Sequence, residues 1–573
     1  MARRRTLLLC RAFFAQFFTS ETVSSDDELR RQIVWLLAFL LMPGILLLIH
    51  AFFDYQGIVL RAIRYQLFDH LDDTLEWIAF LFVTYSIVTV GLIAVCVWDA
   101  LVFDRRDAMV LSPLPVGGAA IVTAKVAALG AFLLAASMAV NLVNAFVFAF
   151  ATADRLGFVT LVRHFVAILT STVAAAAFVF AVLVMLRGAI DLLAGPRVAA
   201  ALGSLLQFLF VLALLGIVIL CPAVWRVPHR ELINPTVTGW LPSSWFTGLF
   251  EQLRGSSRAY FQPLATRALL ATAAVGAGAV LMSIIGFQRQ MQRALAPDSA
   301  ARQSGATRLA RRMAIALGGR NSVASATADF ILLTLTRNRT QQTLVAVNAA
   351  VGVALACGGL TQIRDFASLT RANAAVLWIP LVLAFWLIVG LRAAFFVPSE
   401  LPSAWMFAAN APERTAGYWA AVRAAMLTIV LPPIVAAAAL ITFPLLGWTV
   451  AVRHTLFVCA MAAVMVEAAA VMVDFVPFTR AYEPGRAKLK TRWWLYVSGV
   501  YLSAWWPARL ELAILERPSA FAACLVVLVV AIAAFEIAGH RRLSRWTVPA
   551  PDNSVDPFAT ITVLDLRSFV PNT

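Results

Sequence analysis

The sequence predicts an all-α integral membrane protein, with about twelve transmembrane helices in two six-helix halves. Three observations carry that prediction. Of 573 residues, 61% are apolar and 13% charged, too few polar side chains to cover a soluble chain of this length. The apolar residues fall in runs of the roughly 20 residues needed to cross about 30 Å of hydrocarbon. The runs divide around a basic stretch, 287–339, that holds Arg289, Arg293, Arg302, Arg308, Arg311, Arg312, Arg320, Arg337 and Arg339.

Spans are expected at 33–53, 75–98, 126–150, 161–186, 200–221 and 263–286, then at 340–361, 375–397, 424–446, 455–475, 493–508 and 519–538. This gives a cytosolic N-terminal segment (1–32), a first membrane half (33–286), a basic linker (287–339), a second half (340–538) and a cytosolic tail (539–573). The eleventh run is short and rich in Trp and Tyr. Basic segments resist translocation, and with both termini inside most Lys and Arg residues fall on the cytosolic side. The net charge of +16 is therefore read as orienting charge beside span ends, and no nucleic-acid partner is expected. In residues 1–18, Phe13, Phe14, Phe17 and Phe18 share one helical face, which fits either a helix lying on the bilayer surface or an ordinary flank of the first span. Trp225, Trp240, Trp245, Phe246, Phe250 and Phe261, interspersed with prolines over 222–262, predict short re-entrant or surface helices there. That segment either caps an exit path or forms a passive interfacial belt.

Reaction chemistry finds little support. The sequence has no G-x-x-x-x-G-K-[ST] loop, no G-x-S-x-G elbow, no H-E-x-x-H and no CxxC pair, so ATP-phosphate cradling, serine hydrolysis and zinc chemistry lack their usual residues. Six scattered cysteines read as small apolar side chains. His50, His70, His164, His229, His454 and His540 lie far apart, mostly near span ends, and read as interfacial. Neither a catalytic nor a metal site is expected, and a membrane enzyme would need converging groups that are not evident. Glu467 falls near the middle of the tenth span, with Asp474 one to two turns beyond. A carboxylate at mid-bilayer costs roughly 2.5–3.5 kcal/mol on insertion scales. Glu467 therefore lines a polar path, binds a proton, or is a hydrogen-bonded structural residue. Glu536 is expected to reach the interface at the end of the last span. Pro43-Gly44, Pro380 and Pro432-Pro433 interrupt apolar runs and can bend them.

The most informative segment follows the second span: DALVFDRRDAMVLSPLPVGGAAIVTAK, Asp99 to Lys125. Asp99, Asp104, Arg105, Arg106 and Asp107 put both signs of charge into a short cytosolic stretch, and Pro115 stiffens the chain before the next helix. Such a segment either docks in a groove of another protein or is a solvated loop. The run F-D-R-R-D-x-x-V-L-x-P-L-P-V, followed by Ala124-Lys125, resembles the first cytosolic loop of type-2 class ABC exporter permeases, membrane subunits of bacterial exporters. FFVPSELPSAWMFAANAPERTAGYWAAVR (Phe395 to Arg423) resembles the related loop of a second half, with Pro398, Glu400, Trp405, Phe407, Glu413 and Arg414. PFTRAYEPG (Pro477 to Gly485) resembles a further cytosolic loop.

The resemblance implies a surface helix before six spans, a loop between spans two and three that contacts the ATPase, and external helices between spans five and six. It also implies a place in the bacterial cytoplasmic membrane. Here two such units are fused, which implies a complete pathway without a second permease chain. No cofactor is expected on the chain itself, and ATP and Mg are expected on separate cytosolic ABC ATPase subunits. An ion-gradient-driven secondary transporter is the alternative. Twelve spans and Glu467 permit it, and Asp104-Arg105-Arg106 is similar to the loop after span two in the major facilitator class, without that loop's glycines.

Overall fold

Long runs of apolar residues without water to pair their backbone groups close their hydrogen bonds internally as helices. The computed structural model describes residues 2–17, 69–98, 116–153, 157–193, 196–224, 239–256, 258–294, 322–360, 372–397, 415–479 and 493–543, with single residues such as Tyr55, Phe103, Asp107 and Phe407 between them. All its regular elements among these residues are helical. Nine helices are long and apolar enough to cross a membrane among the described residues, so the chain is an all-α, multi-pass membrane protein. The expected span at 33–53 lies outside the described residues except for Ile49 and Phe53.

The chain divides into two compact units, Met1–Ala301 with Val353–Arg364, and Arg302–Gly352 with Asp365–Thr573. In the first unit the elements are α1 (Ala2–Gln16), α2 (Asp69–Cys96), α3 (Gly118–Ala153), α4 (Phe158–Leu193), α5 (Pro196–Val224), α6 (Pro242–Arg254) and α7 (Phe261–Ala294). Helix α4 is central, packing against α2, α3, α5, α6 and α7. Phe82, Phe148 and Phe250 form one core with Tyr55, Leu75 and Ile78. A polar seam crosses α2, α3 and α4. Asn141 donates to the Ser86 hydroxyl at 2.9 Å, and that hydroxyl donates to the Thr172 carbonyl at 2.9 Å. The expected fifth span corresponds to α5, whose apolar stretch over the described residues is Leu202–Ile217.

In α1, Phe13 and Phe17 turn into the unit, buried against α3 and Phe103, where the rings gain close protein partners, while Leu7 and Leu8 are exposed. Phe14 is half-buried and Phe18 lies outside the described residues.

In the second unit the elements are α8 (Ser322–Arg337), α9 (Arg339–Leu360, whose residues from Val353 onward belong to the first unit), α10 (Ala374–Phe395), α11 (Thr415–Leu446), α12 (Trp448–Ala470), α13 (Trp493–Val500), a π-helical turn (Tyr501–Trp505), α14 (Trp506–Ile514) and α15 (Pro518–Arg542). Helix α8 occupies the end of the expected linker. Ala324, Thr327, Ala328, Ile331, Leu332 and Leu335 are buried at spacings of three and four, an inward stripe that the surrounding arginines disguise in the sequence. It packs on α11. Pro380, Pro432 and Pro433 lie inside continuous helices α10 and α11; Pro43 and Gly44 lie outside the described residues. The eleventh run contains a π turn, where the Trp506 N–H reaches the Tyr501 carbonyl. Pro507, which has no N–H to give, opens the next helix.

Candidate functional site

Charges inside an apolar bundle need partners, and these partners define the candidate site. In the first unit Lys125, two turns into α3, is 1% exposed. Its ammonium donates to Gln16 Oε1 at 3.2 Å and lies 3.8 Å from Asp107 Oδ2, while Gln16 Nε2 donates to Asp107 Oδ1 at 3.3 Å. The rings of Phe13, Phe103 and Phe17 stand 4.8, 5.6 and 6.0 Å from the same nitrogen, close enough for cation–π attraction. Phe103 also packs on Phe287 of α7, with centroids 5.1 Å apart. One buried cation thus ties together α1, the segment after α2, and α3. The sequence nominated Asp107 and Lys125 separately; the structure brings them together and adds Gln16.

The second unit anchors its corresponding loop with rings. Phe407, from the segment after α10, packs on Phe330 of α8 at 5.1 Å and on Tyr418 of α11 at 5.7 Å. Phe330 also meets Phe478, whose backbone takes a left-handed φ of 69°. For a bulky residue that geometry costs on the order of 1–3 kcal/mol. Packing against Phe395 and the bond from its N–H to the Phe395 carbonyl hold it there. Phe478 belongs to the PFTRAYEPG segment.

Arg423, two turns into α11, bridges two carboxylates. Nε donates to Glu467 Oε1 of α12 at 2.8 Å and a terminal nitrogen donates to Glu536 Oε1 of α15 at 2.9 Å. The guanidinium lies 4.6 Å from the Trp419 ring centre. Glu467, which the sequence treats as an isolated carboxylate, is a buried ion-pair member. Glu536, expected only to reach the interface, is its half-exposed companion. Asp474 is half-buried in the turn after α12 and is not among Arg423's partners. Arg423 went unrecognised in the sequence, although an arginine within an apolar run requires a counter-ion and could have been matched to Glu467 on that ground. Asp99, Asp104, Arg105, Arg106, Pro115, Glu400, Trp405, Glu413 and Arg414 lie outside the described residues.

At the opposite end of the first unit, α6 is laced to the start of α2. Arg254 pairs with Glu251 and Asp72, and Arg258 with Asp73 and Glu76. Burial pushes the Glu251 carboxyl above its usual range, and Arg254 partly pulls it back. His164 and His454, read as interfacial, are both buried. They make polar contacts with Thr152 and Glu511, respectively. Among the described residues no group of three or more His, Cys, Asp or Glu side chains could hold a metal ion.

The chain matches no protein-family model, no curated protein and no solved structure.

Two predictions follow from these charges. Arg423→Ala leaves Glu467 buried without its counter-ion and should cost about 3–5 kcal/mol; Arg423→Lys, which keeps the charge but loses the fork, should cost less. Unfolding midpoints in lipid nanodiscs measure both. For Glu251 the raised folded-state value means the folded chain holds this proton more tightly than the unfolded one. Its contribution is full below the ordinary carboxylate value and is lost as pH rises from about 4 up through the raised folded-state value. Glu251→Gln should flatten that decline in a pH series of the unfolding midpoint, whereas a slope equal to the parent's would show that Glu251 does not govern it.

Proposed function

We propose that the chain is the membrane-spanning subunit of an ATP-driven exporter in a bacterial cytoplasmic membrane, with ATP hydrolysis supplied by separate cytosolic ATPase subunits that dock on the 99–125 and 395–423 segments. One observation carries this reading: Lys125 joins the loop after α2, through Asp107, to α1 and to the first turns of α3. A push on that loop is therefore applied to a spanning helix through a buried ion pair and a cage of rings. The Phe407–Phe330–Tyr418 cluster provides a joint of aromatic rings at the matching place in the second unit. Rigid connections of this kind suit a two-state change of access, in which a partner's closure favours one state over the other.

The residues named here act by docking and transmission, with no bond-making role. Glu467 is tied through Oε1 to Arg423, so the buried carboxylate that makes a proton-driven mechanism attractive has a counter-ion. Charge reversal at Arg105 and Arg106 should reduce co-purification of the ATPase subunits and lower export together, while the chain remains folded in the membrane. Unchanged co-purification and export would contradict the assignment. Export that survives ATP depletion and collapses with the proton gradient would favour an ion-driven transporter.

A further inference from the structure

A short segment occurs twice. Residues 156–164 read L-G-F-V-T-L-V-R-H and residues 446–454 read L-G-W-T-V-A-V-R-H, the first opening α4 and the second opening α12. Gly157 and Gly447 have left-handed φ values of 95° and 78°, backbone geometry that favours glycine. Arg163 Nε then donates to the Leu253 carbonyl at 3.3 Å, and an Arg453 terminal nitrogen donates to the Leu515 carbonyl at 2.7 Å. Both carbonyls lie at the C-terminal end of a helix entered through W-x-P: Trp240-Leu241-Pro242 for α6 and Trp505-Trp506-Pro507 for α14. A guanidinium there meets unpaired carbonyls and the negative end of the helix dipole. At Gly255, just past α6, a side chain would collide with the Arg163 guanidinium.

The two copies differ at the histidine. His164 Nδ1 lies 3.0 Å from the Thr152 hydroxyl, and its ring packs against Phe250. His454 Nδ1 lies 2.8 Å from Glu511 Oε1 of α14, both side chains wholly enclosed. Counted from the proline of W-x-P, Glu511 stands where α6 has Phe246. His454 Nε2 and Glu511 Oε2 are buried without hydrogen-bond partners, so the contact between the two residues supports the pair's charge.

We propose that the repeated segments are matching clasps that hold the W-x-P helices, and that the second clasp is operated by a proton. With one proton on the pair beyond carboxylate and neutral imidazole, its net charge is zero. Removing that proton leaves a buried carboxylate beside a neutral imidazole. Adding a second leaves a buried imidazolium beside a carboxylic acid. Either change strands a charge in apolar surroundings and loosens α14 from α12. The other ionisable groups at this end are Cys524 of α15, Arg453, Arg509, Glu516 and Arg517. Arg453 is engaged with Leu515 and Arg509 lies over Trp505. The ionisable residues of the neighbouring α10 and α11, Arg392, Tyr418 and Arg423, lie toward the opposite end. The inference rests on the duplicated geometry and is independent of the transport reading.

Hydrogen exchange of the full chain in lipid nanodiscs, followed from about pH 4 to 9 and corrected for intrinsic rates, tests it. Protection of 506–516 should peak within the range and fall about tenfold or more on both sides. The 242–256 segment, which has Phe246 at the position of Glu511, should not follow that profile. Glu511→Gln should abolish the two-sided profile; should that variant fail to fold, the paired amides His454→Gln with Glu511→Gln provide the same reading. Arg163→Gln and Arg453→Gln should each loosen only their own helix. A two-sided profile that persists without the Glu511 carboxyl, or flat protection of 506–516 in the parent, would overturn the proposal.

Discussion

Arg423 cannot remain charged among apolar helices without a counter-ion, and Glu467 and Glu536 supply one from two other helices. The need to partner such groups within the protein governs much of the arrangement described above. Water is absent from hydrocarbon, so a lysine, a buried glutamate or a seam of Ser, Asn and Thr fixes which helices lie side by side. Lys125 does this for α1 and α3, and Ser86 with Asn141 and Thr172 for α2, α3 and α4. The apolar contacts then fill the space that these fastenings define. Helix α15, which turns most of its apolar window outward, is held through Arg423 at one end.

The same plan appears in each unit on different chemistry. A short helix precedes the long helices in both, α1 packing on α3 in one and α8 on α11 in the other. The segment leading into that partner helix is pinned to the short helix by an aromatic pair, Phe103 with Phe13 or Phe407 with Phe330. Among the described residues, a buried cation completes the joint in the first unit. In the second, the cation at a similar depth, Arg423, ties spanning helices to one another. Under the transport proposal the two loops would therefore receive force through unlike joints, and the first would be the more sensitive to charge.

Much of the membrane architecture was legible because hydropathy over about 20 residues is a strong signal. The elements harder to read were those whose pattern was diluted: Trp493 to Ile514, where tryptophans, Pro507 and Glu511 break the run, and the short helix α8, whose inward stripe is hidden among arginines. Site residues were harder to read because partners in a bundle are distant in sequence. Asp107 and Lys125 could be nominated from one loop, but Gln16 is separated from Lys125 by 109 positions and carries no mark of its own. His454 resembled an interfacial residue until α14 placed Glu511 against it. The repeat containing V-R-H was present in the letters, yet its meaning depended on two carbonyls at remote helix ends.

Whether force from another polypeptide enters through the loop after α2 can be asked directly. A photo-crosslinking residue placed at Ala108, beside the Lys125-linked Asp107, should capture in intact cells a polypeptide containing a P-loop, with a yield that changes when ATP is depleted. Crosslinks confined to lipid, or to the chain itself, under every energetic condition would contradict the account.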